Sequence, residues 1–384
     1  MATFHVSKSG NDSNNGASSG TAKLTIGAAI TLVNAAVGGG IATNVITIED
    51  GTYTETVTYS GSNLTIKSTS SDRTAVIITQ SSGATIKLTR ESTANVFQHL
   101  TIQNTDSGAN DSGIYGANGG SNEWASFTVE DCIFDCQSEA IKYAHACTIK
   151  RTKFLVNAGD NGSSVYGIRN GTGASGAVFK IEACLFVGWD KWAINGSGGY
   201  CEMRNNTAVL DASSQSTSYL IYWSGTNVEI YNTICYGGAT TVDYGIRLQS
   251  ASDTHIVKNC IVFGATRVPY TNTGSPTVSA QLETNTEVAS DGNTIFTALG
   301  DADVDDDYTI NTSGLAYQRG LADELPSDGK DVDGNDFNAS SPNIGCYRSE
   351  SGWSAGSHAG AVANANISTI SGAGKSDIAS VSGV

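Results

Sequence analysis

Eight basic residues in the middle of the chain, Lys142, Lys150, Arg151, Arg169, Lys191, Arg204, Arg247 and Lys258, are of types that can take a proton from carbon. Elimination at a uronate sugar needs such a base and a second cation to neutralise the neighbouring carboxylate. Lys150, Arg204 and Lys258 share one position of a recurring pattern, so they form an outward column. Glu130, Glu182 and Tyr231 interrupt that column, and a solvated charged face is the plainer expectation for it. Hydrolysis of a glycosidic bond would instead need two carboxylates about 5–9 Å apart. Glu130, Asp131, Glu182, Asp190 and Glu229 are available, but Asp131 shares its position with Asn205, Asn232 and Asn259 and reads as a turn residue. No catalytic residue is assigned from these sets.

Two further groups have binding chemistry. Asp301, Asp303, Asp305 and Asp307 alternate in the densest acidic run, which suits a calcium ion, and Asp331-Val-Asp333-Gly-Asn335 has a similar look. Neither supplies the full calcium loop, so no cofactor is required and calcium is the one that the pattern admits. Trp189-Asp190-Lys191-Trp192, with Tyr219, Tyr222 and Trp223, can make a glycan groove: aromatic faces stack on sugar rings while Asp190 and Lys191 bind hydroxyls. The competing expectation is that these aromatics seal the flank of the fold beneath long loops.

The elements that must position these residues are announced by repetition. Val129–Phe134, Ile149–Phe154, Ile181–Phe186, Met203–Ala208, Ile230–Cys235 and Val257–Val262 each open on an apolar residue. Each carries Cys, Thr or Asn three residues on and an apolar or small residue five residues on. A recurrence of side-chain type at variable interval is the mark of a solenoid, in which each coil buries its inner face only against its neighbours. Phe97–Ile102 fits the same template, and Leu64–Ile66 and Val76–Ile78 read as strands of earlier coils. The longest intervals place Gly-, Asn- and Ser-rich loops near 104–124 and 157–178, where projecting functional segments are expected.

Composition agrees with an all-β rod. Gly (44), Ser, Thr and Asn abound in the 384 residues, only 15% are charged and four are proline. The net charge of −16 disfavours nucleic acid as a partner, and no apolar stretch is long enough for a membrane helix. The eight cysteines sit at or beside motif positions without zinc spacing, so they read as small core residues, reduced as in a cytoplasm. The opening residues lack a basic or strongly apolar leader, so either the chain is not secreted by the usual route or a leader has been replaced. Ile26, Ile30, Val33 and Val37 have helical spacing between a Thr25 cap and Gly38-Gly39-Gly40, predicting one amphipathic helix that closes the end of the core.

Phe4-His-Val-Ser-Lys-Ser-Gly-Asn-Asp12, the helix, and Val45-Ile-Thr-Ile-Glu-Asp-Gly-Thr-Tyr-Thr-Glu55 resemble the opening of right-handed parallel β-helix proteins of the pectate-lyase-like superfamily. Asp328-Gly-Lys-Asp-Val-Asp-Gly-Asn335 and Ser341-Pro-Asn-Ile-Gly-Cys-Tyr347 resemble the closing segment of such proteins, with Asn343 and Cys346 in place of the usual aspartate and alanine. The resemblance implies a single-stranded right-handed parallel β-helix with a short N-terminal capping helix, organised as 1–44, 45–348 and a linker-and-repeat tail 349–384. Asparagine-glycine and glycine-x-histidine-arginine signatures of alginate and chondroitin lyases are not evident. The tail units Asn366–Gly372 and Asp377–Gly383 resemble short repeats on structural proteins of environmental bacteriophages.

These resemblances set the functional expectation: a bacteriophage virion protein (spike, fibre or capsid decoration), assembled in the host cytoplasm as a homotrimer beside other virion proteins, with a rigid body that binds polysaccharide. A polysaccharide lyase or glycosidase, and an extracellular or cell-surface adhesin, are the alternatives.

Overall fold

The computed structural model describes residues 1–36, 43–88, 92–106, 112–116, 125–155, 166–170, 178–189, 192–210, 219–225, 227–237, 244–249, 255–264, 270–272, 281–284, 296–298, 307–311, 316–318 and 320–348. The chain divides into two units, Met1–Ser349 and Glu350–Val384. The second, with the repeat tail, lies outside the described residues.

The first unit is a right-handed parallel β-helix. Among the described residues every strand pairing is parallel except that of Phe296–Ala298 with Asp307–Ile310. Each coil contributes up to three strands, and strands of successive coils stack into three sheets. The six repeated motifs span the first sheet, a sharp corner and the second sheet. Their opening residues form one inward column, Val129, Ile149, Ile181, Met203, Ile230 and Val257. Phe97, Ile66, Ile46 and Phe4 extend it towards the N-terminus. Five residues on, Phe134, Phe154 and Phe186 stack, each adjacent pair of rings parallel to within 4°, with ring centroids 5.0 and 4.5 Å apart.

The corner lies two residues into each motif. Asp131, Arg151, Ala183, Asn205, Asn232 and Asn259 all have left-handed backbone, φ between 46° and 55°. The next residue then donates back to the preceding carbonyl: Thr152 Oγ1 to Lys150 O at 2.8 Å, Thr233 Oγ1 to Tyr231 O at 3.0 Å and Cys132 Sγ to Glu130 O at 3.3 Å. This need for a small side chain with a donor explains the Cys/Thr alternation of the sequence.

Ile26–Ala36 forms the expected helix, with Ile26, Ala29, Ile30 and Val33 in the core. Thr25 Oγ1 accepts from Ala28 N at 3.2 Å. Glu55, the last residue of the Val45–Glu55 signature, adds a second cap, accepting from Ile26 N and Gly27 N at 2.9 Å each. An anionic carboxylate there complements the positive end of the helix dipole. Val37 lies outside the described residues.

The closing segment 316–348 returns along the flank at the corner of the first two sheets. Ile344, Cys346 and Tyr347 pack with Leu185, Val209 and Ile234 in a second apolar cluster. Arg73 donates to Val332 O at 2.8 Å, and Arg151 pairs with Glu130, Asp131 and Asp328.

Candidate functional site

The third sheet carries a second repeat, distinct from the six motifs of the first two sheets. Ile86, Ile114, Ile141, Ile168, Ile194, Ile221 and Ile246 form a single inward column of isoleucine. In six of these rungs a smaller or unbranched residue precedes the isoleucine, as in Gly113-Ile-Tyr115, Ala140-Ile-Lys142 and Gly167-Ile-Arg169, and the ladder skips that residue. A Cβ added to Gly167 would stand 2.4 Å from Ala193 O, so the chain bends where little side chain can be housed. The bend lets residues on both sides of it face outward.

Two columns facing away from the isoleucine core result, in which Ser112, Glu139, Lys142, Tyr166 and Tyr219 are nonetheless buried. One holds Ser112 and Glu139, then Tyr166, Trp192, Tyr219 and Tyr244. The other runs Lys87, Tyr115, Lys142, Arg169, Asn195, Tyr222 and Arg247. The rings stack from coil to coil: Trp192 on Tyr219 at 5.7 Å, Tyr219 on Tyr244 at 5.3 Å and Trp192 on Tyr222 at 5.8 Å between centroids. Tyr166 tilts against Trp192 at 4.9 Å. Guanidinium groups cover the remaining faces, Arg169 over Tyr166 at 5.0 Å and Arg247 over Tyr219 at 5.0 Å. Arg247 also donates to the Tyr219 hydroxyl, and Tyr222 to Gln249.

At the N-terminal end of these columns lies a charge cluster. Glu139 Oε1 is 3.3 Å from Lys142 Nζ and 3.0 Å from Arg169 Nη1. Burial pushes the Glu139 carboxyl above its usual range, and the attraction of Lys142 and Arg169 only partly offsets this. Tyr143, which turns the chain with φ 57°, packs edge-on against Tyr115 and lies under Lys142 and Arg169.

The structure separates the residues proposed for a glycan groove. Trp192 and Tyr222 stand side by side on the outward face. Trp189 and Trp223 do not belong there: both are fully buried, donating from Nε1 to Phe154 O at 3.3 Å and Gly198 O at 3.1 Å. Trp223 lies two residues beyond Ile221 on the same inner face, and Gly196 makes room for it. Asp190 and Lys191 lie outside the described residues. Along this ladder ring faces meet one another and guanidinium groups, and the Tyr219 and Tyr222 hydroxyls are bonded to Arg247 and Gln249.

The basic residues divide as well. Lys142, Arg169 and Arg247 share the third-sheet face. Lys150, Arg204 and Lys258 do form an outward column, but Lys150 pairs with Glu182 at 3.5 Å and Arg204 with Glu202 and Glu324 at 2.5 Å each. Arg151 is held in the corner by Glu130 and Asp131, which spends those carboxylates structurally. Lys191 is outside the described residues.

Of the proposed calcium ligands, Asp301, Asp303 and Asp305 lie outside the described residues. Asp307 begins a strand, Asp307–Ile310, rather than sitting in a loop. No group of three metal-ligating side chains occurs among the described residues. Asp331 organises a turn, its Oδ1 accepting from Asp333 N at 3.0 Å and Asn335 N at 2.7 Å.

No protein-family model and no curated protein sequence matches the chain. Among solved structures it is similar to pectate lyase Pel9A, at 15% identity over 91% of this chain and 97% of that one, with a TM-score of 0.53. It also aligns with the PL6 family alginate lyase AlyGC, at 11% identity over 74% of this chain and 40% of that one, TM-score 0.49, and with a rhamnogalacturonan lyase, at 13% over 85% and 97%, TM-score 0.43. The likeness to Pel9A places this chain among pectate-lyase-like β-helix folds.

Proposed function

We propose that this chain is a glycan-binding β-helix whose third-sheet face takes a polysaccharide lying along the rod. The observation that carries the reading is the continuous ladder Tyr166, Trp192, Tyr219 and Tyr244, with Tyr222 and Arg247 beside it, on an outward face. Tyr166 and Tyr219 are buried within that ladder, while Trp192, Tyr222, Tyr244 and Arg247 are partly exposed and are the members a ligand would meet. Successive rungs lie roughly 4.8 Å apart, close to the length of one sugar ring, so consecutive sugars meet consecutive rungs. Ring edges supply apolar contact, and phenol hydroxyls and guanidinium groups bind hydroxyls and acidic substituents.

The setting we favour is a bacteriophage particle, where a homotrimer of such rods would sit with other virion proteins. All eight cysteines are free and buried, which suits folding in a reducing cytoplasm. Cleavage of the bound glycan is the second reading. It is favoured by the register pairing of Lys142 with Arg169, a candidate base beside a candidate carboxylate-neutralising cation.

The test is a panel of acidic and neutral polysaccharides presented to the intact chain and to Tyr222→Ala and Arg247→Ala. Binding by the wild type, weakened roughly tenfold in each variant, is expected. No binding, or binding indifferent to both substitutions, would sink the reading. Release of unsaturated sugars or new reducing ends would establish cleavage, and antibody labelling of intact particles would establish the virion setting.

A further inference from the structure

We propose that the third-sheet face recognises an isolated acidic sugar: Arg247 takes the acidic group of a heteropolysaccharide in which no more than about one sugar in three is charged, and the rungs before it take uncharged sugars. The proposal names the ligand class of the glycan reading and rests on that reading.

Arg247 differs from Arg73, Arg151, Arg169 and Arg204, each of which pairs with a carboxylate. Among the described residues Arg247 pairs with none. Its guanidinium lies against the rings of Tyr219, Tyr222 and Tyr244, with centroids 5.0, 5.8 and 5.4 Å away. It donates to the Tyr219 hydroxyl, and its Nε has no hydrogen-bond partner. Aromatic faces hold a guanidinium in place without neutralising its charge, and a planar fork held in this way is already arranged for a carboxylate or sulfate. The Arg247 side chain is partly exposed, as are Tyr222 and Tyr244 beside it.

The neighbouring rungs carry no second unpaired charge among the described residues. Passing from Arg247 towards the N-terminus, the same column holds Tyr222, then Asn195, then Arg169. Arg169 is already bonded through Nη1 to Glu139 at 3.0 Å. The other column of these rungs is aromatic throughout, Tyr244, Tyr219, Trp192 and Tyr166. With one sugar to a rung, an acid on Arg247 is followed by sugars that meet a phenol and an amide.

Charge density then decides affinity in both directions. A neutral chain laid over Arg247 removes water from the guanidinium and returns no anion, which costs free energy. A chain charged at every sugar sets carboxylates beside Asn195 and Tyr222, where no cation offsets their dehydration, and it meets the repulsion of a protein with net charge −16. The ligand that fits has its acid on one sugar and uncharged sugars on the next two.

The probe is one linear galacturonan prepared with all, about a third or none of its carboxyl groups free, the remainder being methyl esters. Wild-type affinity should peak at the intermediate member, on the order of tenfold above either end. Arg247→Gln should lower binding of the intermediate member to that of the uncharged one, so that the peak disappears. Lys87→Gln removes an exposed cation of the same column that lies beyond Arg169, Lys142 and Tyr115, away from the aromatic stretch, and should keep the peak. Thermal melts check that both variants are folded, and the wild-type series needs no variant. Affinity that rises steadily towards the fully charged or the uncharged polymer, a peak that survives in Arg247→Gln or is lost equally in Lys87→Gln, or binding of no member of the series overturns the isolated-acid reading. In each case the broader glycan reading stands if Tyr222→Ala still weakens binding of a polysaccharide from the panel, and falls as well if it does not.

Discussion

Asn232 donates its side-chain amide to Oδ1 of Asn205 at 3.3 Å, and both residues stand in left-handed backbone at successive corners of the helix. Asn259 continues the ladder, donating to Asn232 Oδ1 at 2.9 Å. The same amides grip the returning segment: Asn232 Nδ2 donates to Leu321 O at 3.0 Å and Glu324 O at 3.2 Å, and Asn205 Nδ2 to Asn343 O at 3.0 Å. Asparagine tolerates this conformation better than most residues and brings a donor and an acceptor. The ladder thus turns the chain and anchors the segment that covers its flank.

Asn232→Ala should therefore cost about 3 kcal/mol, the sum of a left-handed alanine and several buried polar groups left unpaired. Denaturant unfolding measures the loss, and limited proteolysis should show earlier cutting within 316–348. Unchanged stability with an equally protected segment would refute the anchoring role.

How much of this was legible in the sequence depended on the turns. The first and second sheets are joined by a single left-handed residue, so the two strands and their corner stay in fixed spacing and read as one motif, from Val129–Phe134 to Val257–Val262. The helix Ile26–Ala36 was equally legible from its spacing and its Thr25 cap. The third sheet is set off by sequence intervals of unequal length, which hide the isoleucine column even though Gly-Ile-Arg recurs at 167–169 and 245–247. Glu139 is not legible for the same reason, since its position is defined only relative to Ile141 across a bend. A Tyr-Trp pair looks like a groove from sequence alone; counting by two from Ile221 puts Trp223 inside and Tyr222 out.

The cysteines supply a prediction about chemistry. All eight are buried, and burial pushes Cys132, Cys184 and Cys260 up to about 12 and the other five thiols up as well. The thiolate is the reactive form, so the native protein should resist a thiol reagent near neutral pH and yield all eight thiols after unfolding. Rapid labelling of the folded protein, or fewer than eight thiols in the unreduced denatured chain, would contradict the packing.

Acid stability should be governed by two opposed sets. Burial pushes Asp12 up, but hydrogen bonds from Thr25 and Leu24 outweigh it and hold the carboxyl below its ordinary value; for Glu202, burial is likewise outweighed by Arg204 and Lys180. A carboxyl with a lowered folded pKa stabilises above its unfolded value, and that stability is lost as pH falls through the folded value. Asp331 and Glu139 are raised, chiefly by burial, so their protonation on acidification favours the fold. Melting temperature is therefore expected to hold level on first acidification and then to fall below the ordinary carboxylate range. Asp12→Asn should melt lower at neutral pH and converge with the wild type in strong acid; a constant gap at every pH would exclude Asp12 from the acid transition.

The inside and outside of the third sheet can be told apart by a pair of tryptophans. A Cβ on Gly196 would lie 2.0 and 2.2 Å from ring carbons of Trp223, which packs edge-on against Phe179 at 5.3 Å. Gly196→Ala should thus cost about 1–3 kcal/mol by overpacking, and Trp223→Ala about 3–5 kcal/mol by leaving a cavity. Trp192 lies half-buried on the outer face, where truncation gives up ring contacts with Tyr166, Tyr219 and Tyr222 worth about 1–2 kcal/mol. Because only Trp192 borders the proposed glycan path, Trp192→Ala should weaken polysaccharide binding out of proportion to its stability loss. Gly196→Ala should lower stability first, with binding intact wherever the protein remains folded. Equal binding defects at equal stability in the two variants would mean that the aromatic ladder serves the fold and not a ligand.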